Sequence, residues 1–330
     1  MYKIISIVLF FIPLHASILI GAGGFDVSKQ NNHYFFKTKI KNAQPTYITE
    51  VLSKEALNVN SVTIWITRNW KEDWFSAKEV QKEIIDKGYT PLFIFYYFAD
   101  DISPKFIENH KEAYFKQLEH FTHYLKKLNG QKIVVLNPEY NMFGCEKLAS
   151  MNDLFLKSFA VVRQDPQVLV GPCVGDFGNY TYTDEPKEWK RFRPSLKRAA
   201  KKADFIAFQE MRGLTRNKAS EIKKTAQRAY HFAKYLHKTY HKPTMLAYLA
   251  ISSYGKNGEK IQADVYHSFI KLLPKMRKEA DLILFSTFHY FDYPGHVGYF
   301  NKAEEFFGIV RKDGTHKPSL QYFRKLPNSL

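Results

Sequence analysis

The sequence Gln131-Lys132-Ile133-Val134-Val135-Leu136-Asn137-Pro138-Glu139-Tyr140-Asn141 is an apolar run that ends on a cluster of polar side chains. The run is short, rich in β-branched residues and without helical periodicity, which indicates a strand in a sheet that is covered on both faces. Pro138 has no amide hydrogen to donate to a sheet ladder, so we expect the strand to end there. Such a strand would present Glu139 at its C-terminal end.

Seven further apolar runs share this design and alternate with helical stretches. They lie at residues 17–22, 59–65, 91–98, 167–172, 203–208, 243–249 and 281–285. Strands and helices that alternate along a chain predict a parallel sheet, and eight such units predict an α/β fold of the closed (β/α)8 type, the TIM barrel. The alternative is an open doubly wound sheet, which usually carries a sharper phosphate-binding fingerprint. No linker or shift in composition divides the chain, so we expect residues 17–330 to form a single domain.

Residues 1–16 have the pattern of a secretory signal peptide. Lys3 precedes the apolar run Ile4 to Leu14, and Leu14-His15-Ala16 fits cleavage after Ala16. We therefore expect a periplasmic or secreted protein. We also expect no stable membrane span after cleavage, because no later segment is long enough to cross a bilayer. The alternative is a buried strand or an uncleaved anchor in the same stretch.

The composition is basic and contains two cysteines. The formal net charge is +17, which indicates either a solvated basic surface or an anionic glycan as partner, and no nucleic-acid-binding motif accompanies it. Cys145 and Cys173 follow neighbouring predicted strands, where an exported location would allow a disulfide, although a pair of buried thiols fits equally well. No metal-ligand spacing is present, so we expect neither a metal nor another cofactor.

The chemistry of a (β/α)8 barrel lies at the C-terminal ends of its strands. Residues at or just after the eight predicted strand ends are therefore the candidates for the site. Glu139 and Glu210 are the catalytic candidates. The candidates for substrate binding are Asp26, Arg68, Trp70, Tyr97, Asn137, Tyr140, Asp176, Arg212, Tyr248, His289, Tyr290 and Asp292. Asp100, Asp101 and Gln209 also lie at strand ends.

Acids, amides and aromatic rings at one barrel mouth are the groups that glycoside cleavage requires. Aromatic faces stack on sugar rings, amides and Arg bind hydroxyl groups, and two carboxyl groups supply an acid and a nucleophile or base. One carboxyl must keep its proton near neutral pH, which burial beside an aromatic ring can achieve. The sequence therefore predicts a carbohydrate substrate.

Two motifs carry a resemblance to a known group. Val134-Val135-Leu136-Asn137-Pro138-Glu139-Tyr140-Asn141 resembles the fourth-strand segment of clan A retaining glycoside hydrolases, in which Asn and Glu end the strand and the Glu is the acid/base. The tail Asp313-Gly314-Thr315-His316-Lys317-Pro318 resembles the segment before the last helix of many such enzymes. The resemblance implies a (β/α)8 glycosidase with Glu139 as acid/base.

The sequence departs from this clan at the seventh strand. The clan has a Glu nucleophile there, whereas Met245-Leu246-Ala247-Tyr248-Leu249-Ala250 contains no carboxyl group. We expect Glu210 to supply the second carboxyl, with either a retaining or an inverting outcome. Asp26, Asp176 and Asp292 are the other candidates, and Tyr248 could act as a hydrogen-bonding or nucleophilic phenol.

Three functions agree with these observations. The first is an exported glycoside hydrolase that acts on an envelope or extracellular glycan. The second is a carbohydrate-binding barrel without catalysis, to which the missing seventh-strand acid points. The third is a metal-dependent hydrolase or polysaccharide deacetylase, although His289, His296, Asp26 and Asp100 have no recognised ligand spacing.

Overall fold

A closed barrel of eight parallel strands forms the centre of the computed structural model, which describes residues 18–23, 37–38, 46–55, 57–141, 143–176 and 185–326. The strands are β1 (Leu19–Ala22), β2 (Lys37–Thr38), β3 (Thr46–Tyr47), β4 (Ser61–Thr67), β5 (Thr90–Tyr96), β6 (Lys132–Leu136), β7 (Val168–Asp176), β8 (Ile206–Arg212), β9 (Thr244–Ile251) and β10 (Leu282–Thr287). Strands β2 and β3 form a separate antiparallel pair, and the other eight close the barrel in the order β1-β10-β9-β8-β7-β6-β5-β4. The predicted (β/α)8 TIM barrel is confirmed.

Helices surround the barrel and connect successive strands. They are α1 (Ile48–Lys54), α2 (Ala77–Val80), α3 (Pro104–Leu125), α4 (Met151–Val162), α5 (Glu185–Trp189), α6 (Arg193–Leu196), α7 (Ala199–Lys202), α8 (Ala219–Ile222), α9 (Thr225–Tyr240), α10 (Gly258–Ala280) and α11 (Pro318–Phe323). The three short helices α5, α6 and α7 occupy the basic stretch between β7 and β8, and Pro194 lies where α6 begins. The helices α3 and α10 are long and unbroken, and they cover other strands of the barrel.

The barrel strands are buried on both faces, as their continuous apolar runs predicted. All five residues of β6 are buried. Towards the helices, Phe93 of β5 packs edge-on against Phe121 of α3, with ring centroids 5.4 Å apart. Towards the axis, Trp65 of β4 and Tyr248 of β9 approach to 5.2 Å across the barrel. Because side chains alternate between the two faces, each position along a strand belongs to one layer or the other.

Two strands are longer at the mouth than the sequence predicted. The apolar run of β7 was expected to end at Pro172, and the strand continues to Asp176. Likewise, β8 continues past Phe208 to Arg212. Residues expected in loops after these strands are therefore strand residues, and the alternation of the strand decides which way they face.

The two cysteines are both buried and both free. The disulfide alternative is thus not the arrangement found here. Within the described ranges, no helix is long and apolar enough to cross a membrane. The segment 1–16, on which the expectation of export depends, lies outside the described residues.

Candidate active site

Glu139 lies in the turn that ends β6, and its backbone has a left-handed conformation. Its φ angle is +64°, and that of Asn137 is +48°. Non-glycine residues adopt this region at a cost of roughly 1–3 kcal/mol, and such strain is concentrated at functional sites. The Asn-Pro-Glu turn therefore holds the Glu139 side chain in a direction that a relaxed strand end would not give it.

The carboxyl of Glu139 meets a phenol from the opposite side of the barrel. The hydroxyl of Tyr248, on β9, donates a hydrogen bond of 2.6 Å to Oε1 of Glu139. Both side chains therefore point into the barrel mouth. Tyr248 is fully buried, whereas Glu139 is partly exposed to solvent. A substrate that enters the mouth can therefore reach the Glu139 carboxyl.

Aromatic rings surround the pair of Glu139 and Tyr248. Trp65 lies 5.2 Å from Tyr248 between ring centroids, Phe288 lies 5.4 Å from Tyr248, and Tyr96 lies 5.3 Å from Trp65. These rings remove water from around the carboxyl of Glu139. Burial and the negative charges of Asp100 and Glu304 raise the pKa of Glu139 to about 8, against the opposing effect of the Tyr248 hydrogen bond. Glu139 is therefore mostly protonated at neutral pH.

Two further carboxyl groups lie near Glu139. Asp100 is exposed and accepts a hydrogen bond of 2.8 Å from the hydroxyl of Tyr96. Glu304 is buried in the short 3-10 helix Asn301–Phe306, where its Oε1 accepts the backbone amide of Phe300 at 2.8 Å. Of the two, only Asp100 is open to solvent. Glu304 was not among the sequence candidates, because it belongs to the long segment after β10.

Gln209 of β8 points into the barrel beside Tyr248. The two residues are in register on neighbouring parallel strands, so their side chains share a face. Gln209 is fully buried, and neither atom of its amide has a hydrogen-bond partner among the described residues. Buried amides are nearly always paired, so this one is poised to bind a ligand or an ordered water.

His289 is another sequence candidate that lies with this group. Its ring stacks on Phe288 with centroids 4.2 Å apart, and Phe288 in turn packs against Tyr248. Burial, reinforced by the charges of His296 and Lys317, lowers the pKa of His289 well below its ordinary value. The ring is therefore neutral at physiological pH. Its buried Nδ1 has no hydrogen-bond partner in the described part of the chain.

Glu210 faces the helices, and its predicted position in the mouth is corrected. Phe208, two residues earlier on β8, packs against Phe232 of α9 at 5.4 Å, so Glu210 shares this outward face. Its Oε2 accepts a hydrogen bond of 2.7 Å from Arg212, and its side chain is fully buried. Because β8 extends through Arg212, Glu210 obeys strand alternation instead of turning into the mouth with a loop.

Asp176 and Arg212 belong to the same outward network. Asp176 is in register with Glu210, and its Oδ2 accepts a hydrogen bond of 2.6 Å from Nε of Arg228 on α9. Arg212 also donates to the backbone oxygen of Asp176 at 2.8 Å. These charges connect β7 and β8 to the helix layer. Neither residue is placed in the mouth.

Four other sequence candidates are buried between the barrel and its helices. Trp70 packs against Tyr124 of α3 at 5.3 Å, and Tyr97 packs against Tyr114 at 5.5 Å. Asn137 donates to the hydroxyl of Tyr114 at 3.1 Å. In the same layer, the hydroxyl of Tyr140 lies 3.1 Å from that of Ser195. The expectation that these four bind substrate is corrected, because none of these contacts is with the mouth.

Arg68 and Tyr290 make contacts with loop residues. Arg68 donates to the backbone oxygens of Tyr97 and Phe98 at 3.1 Å and so connects the loops after β4 and β5. Tyr290 is fully buried and packs against Phe291. Asp26 lies outside the described residues.

Asp292 is held by the tail motif instead of facing the mouth. Its Oδ1 accepts Nζ of Lys317 at 2.5 Å, and Lys317 also donates to Ser253 at 2.7 Å and to the backbone oxygen of Gly308 at 2.8 Å. Lys317 is buried. The Asp-Gly-Thr-His-Lys-Pro segment therefore fastens the loops after β9 and β10 to each other.

The loops around the mouth also expose large apolar side chains. Phe143 follows β6 and is 65% exposed, and Tyr254 follows β9 at 37%. Val297 and Tyr299 follow β10 and are 71% and 40% exposed. Exposed aromatic faces at a cleft are suited to stacking on sugar rings. Within the described ranges, no group of three or more His, Cys, Asp or Glu side chains is arranged to hold a metal ion.

Comparison with solved structures shows what this architecture resembles. No protein-family model and no curated protein sequence matches the chain. The structure is similar to that of fungal β-1,4-galactanases, with a TM-score of 0.63 and 12% identity over 94% of this chain and 100% of the other. A β-D-glucuronidase from Dictyoglomus thermophilum gives a TM-score of 0.60 with 11% identity, and covers 96% of this chain.

A third similar structure is the family 17 β-1,3-glucanosyltransferase from Rhizomucor miehei, with a TM-score of 0.55 and 13% identity over 92% of this chain and 96% of the other. The chain spans only about half, 51%, of the length of the β-glucuronidase. All three neighbours are enzymes that act on glycosides. At these identities the shared feature is the barrel fold.

Proposed function

We propose that this chain is a glycoside hydrolase with Glu139 as its general acid. One observation carries the proposal: the Glu139 carboxyl lies in an aromatic barrel mouth, accepts a hydrogen bond from Tyr248, and has its pKa raised to about 8. A general acid for glycoside cleavage must hold its proton at the working pH and release it to the leaving oxygen. The fold that the chain shares with glycoside-active enzymes supports this assignment.

Tyr248 determines which oxygen of Glu139 carries the proton. A neutral carboxyl has one hydroxyl oxygen and one carbonyl oxygen. Since Tyr248 donates to Oε1, the proton is held on Oε2. As the glycosidic bond breaks, the proton on Oε2 passes to the departing oxygen and Glu139 becomes a carboxylate, which Tyr248 continues to stabilise.

Asp100 is the proposed second carboxyl. It is exposed, bonded to Tyr96, and close enough to Glu139 that its charge raises the pKa of that group. In this role it removes a proton from the water that attacks the sugar, or attacks the sugar itself. Glu304 is less suited, since it is buried and its carboxyl accepts the amide of Phe300.

Gln209 and the aromatic rings supply binding. The side-chain amide of Gln209 has no hydrogen-bond partner among the described residues, and it can both donate to and accept from sugar hydroxyls. Trp65, Tyr96 and Phe288 offer apolar surface beside the acid, and Tyr254 and Tyr299 extend that surface along the rim. We further propose export to the periplasm or medium and an envelope or extracellular glycan as substrate, on the basis of the signal-like residues 1–16.

The test is release of reducing ends from a panel of neutral, amino and acidic polysaccharides. Wild type is expected to cleave at least one of them, and Glu139→Gln should lose the activity while keeping the fold. Glu305→Gln, which removes a surface carboxyl beside Glu304, is the matched control and should retain activity. Turnover by Glu139→Gln at the wild-type rate would refute the assignment.

A second candidate function is a carbohydrate-binding barrel without catalysis. The observation in its favour is that the seventh barrel strand carries Tyr248. The clan A glycoside hydrolases that the sequence resembles have a carboxylate nucleophile on this strand. This function is supported instead if calorimetry shows a glycan bound equally by wild type and Glu139→Gln, with the glycan recovered intact from both.

A further inference from the structure

The segment α5 to α7, between β7 and β8, has the densest positive charge of the described chain. Half of residues 187–202 are Lys or Arg, and Glu188 is the only acid among them. All of these basic side chains are exposed: Lys187, Lys190, Arg191, Arg193, Lys197, Arg198, Lys201 and Lys202. The breaks between the three short helices spread these charges over one side of the barrel instead of along one helix.

Part of this segment forms one wall of a groove. The groove has a volume of about 700 Å³ and runs between α6 and α7, the start of α4 and the end of α9. Its charged lining consists of Lys190, Arg193, Lys197, Arg198, Lys201 and, when protonated, His241. No Asp or Glu is among the described residues that line it.

Most of these charges have no partner among the residues that the structure describes. Arg198 pairs with Asp153 of α4. For Lys190, Arg193, Lys197 and Lys201, no side-chain hydrogen bond or ion pair to any described residue is present. Some exposed cations elsewhere on the surface are paired, as Lys127 is with Glu72 and Lys234 with Glu279. Like charges crowded in a concave site repel one another, and a bound anion relieves that repulsion.

The groove also has the features of a polymer site. Tyr240 lies in it, and the buried hydroxyl of Tyr240 has no hydrogen-bond partner in the described ranges. Pro194 and Ala200 add apolar surface. In the described ranges, the large exposed hydrophobic side chains that could enter a bilayer lie on loops around the mouth and do not line this groove. A concave row of cations beside the Tyr240 ring fits a polymer of sugar rings that have apolar faces and carry carboxylates at regular spacing.

We propose that this groove binds a segment of an acidic polysaccharide, a polyuronate, at a site separate from the barrel mouth. The sugar carboxylates pair with Lys190, Lys197 and Lys201 along the wall, and the ring of Tyr240 contacts a sugar face. The net charge of +17 brings the polymer to the surface, and the groove fixes its place on it. This binding does not depend on whether the mouth cleaves glycosides.

The test is calorimetric titration of the full chain with galacturonate oligomers at low and at physiological salt. A triple variant carries Lys190→Glu, Lys197→Glu and Lys201→Glu. Its matched control carries Lys105→Glu, Lys111→Glu and Lys116→Glu on a different helix, α3. These lysines are also exposed and have no ion pair with any described residue. Wild type should bind the oligomer, and its affinity should fall as the salt concentration rises. The affinity of the groove variant should be lower than that of wild type by a factor of about ten or more. The control should stay within a few-fold of wild type.

Three results would overturn the proposal. One is equal weakening in both triple variants, which would mean attraction to net charge only. Another is no binding of the oligogalacturonate, and the third is stronger binding of single-stranded nucleic acid or anionic vesicles than of the uronate. If the triple variant fails to fold, Lys197→Ala replaces it, with an expected two- to threefold loss.

Discussion

The phenol of Tyr248 donates a hydrogen bond of 2.6 Å to Oε1 of Glu139, from β9 to the turn after β6 on the other side of the barrel. The seventh barrel strand, where the clan that the sequence resembles holds its nucleophile, thus carries a phenol that is hydrogen-bonded to Glu139. A phenol in this place changes the electrostatics of the site, because it brings no second negative charge next to Glu139. The remaining negative charges come from Asp100 and Glu304.

Replacing Tyr248 by Phe is expected to raise the pKa of Glu139 further. The hydrogen bond from Tyr248 stabilises the carboxylate and so lowers this pKa. Its loss should raise the value by on the order of one pH unit. The carboxyl resonance of Glu139 in the 13C NMR spectrum of glutamate-labelled protein reports this directly. Where a substrate is found, the alkaline limb of the activity profile should move to higher pH.

Tyr96→Phe is the control for this measurement. Tyr96 lies in the same aromatic wall, but its hydroxyl bonds to Asp100 and not to Glu139. Removing it should leave the titration of Glu139 much closer to that of wild type. Equal shifts in the two variants would show that the effect comes from packing and not from the Tyr248 hydrogen bond.

Asp100→Asn is expected to reduce turnover and to lower the pKa of Glu139. The pKa falls because one of the negative charges that hold the proton on Glu139 is removed. Loss of a base or nucleophile typically reduces the rate by on the order of 10²- to 10⁴-fold. Initial rates and the Glu139 titration can both be measured on the same preparation.

Glu304→Gln separates the two effects of Asp100. This change also removes a negative charge that raises the pKa of Glu139, and Gln can still accept the amide of Phe300. We expect the pKa of Glu139 to fall, with a loss of turnover much smaller than for Asp100→Asn. A larger loss in Glu304→Gln would make Glu304 the second carboxyl.

The sequence contained enough information for the barrel but only part of the site. Eight apolar runs alternating with helices specify the closed sheet, since each run is buried on both faces. Glu139 could be selected because Pro138 ends its strand. Glu210 could not be placed, because nothing in the sequence shows that β8 continues to Arg212, and one residue of strand reverses the direction of a side chain.

The sequence candidates also left out residues of the mouth, because the sequence does not show the direction in which a side chain points. Trp65 and Tyr96 lie within strands, and in the sequence they cannot be distinguished from the core residues of the same apolar runs. Phe288 resembles an ordinary core residue, and Glu304 is brought to the mouth by a loop whose path no local pattern encodes. Trp70, Tyr97 and Tyr140 follow strands but pack outwards. Position in the sequence therefore located the mouth, and the facing of each side chain required the three-dimensional register.

Glu210→Gln is expected to destabilise the fold without a specific effect on chemistry. The change leaves Arg212 buried with one less counter-charge. Breaking a buried ion pair costs on the order of 3 kcal/mol of unfolding free energy. Urea denaturation measures the loss, and turnover per folded molecule should remain near wild type. The pair Lys302–Glu305, in which the Lys302 side chain is 57% exposed, offers a control, because Glu305→Gln should cost less than about 1 kcal/mol.

Lys317→Met tests whether the tail motif is structural. Lys317 is buried and pairs with Asp292, and its loss would leave that carboxyl in the interior without its cation. We expect roughly 3–5 kcal/mol of destabilisation by urea denaturation. Lys302→Met, at an exposed position, should be nearly neutral. A stable Lys317→Met protein that has lost only activity would instead place Lys317 in the chemistry.

Glu139→Gln is expected to stabilise the protein, increasingly so as the pH rises. In the folded state the pKa of Glu139 is about 8, above the value of 4.5 expected for an unfolded chain. The folded state therefore binds this proton more tightly than the unfolded state does. The stability that the bound proton contributes is fully present below pH 4.5 and is lost as the pH rises from 4.5 to about 8. Gln carries no titrating proton. The gain of the variant over wild type should therefore grow by at most about 3 kcal/mol between about pH 5 and pH 8.

Urea denaturation of both proteins at several pH values measures this difference. Because Glu139 is partly exposed, solvent screening should keep the gain below that upper value. Glu305→Gln serves as the control, since Lys302 lowers the pKa of Glu305 and its replacement should give a difference of the opposite sign. A Glu139→Gln gain that does not depend on pH would mean that the carboxyl titrates normally and is ionised at neutral pH, in which case it could not serve as the general acid.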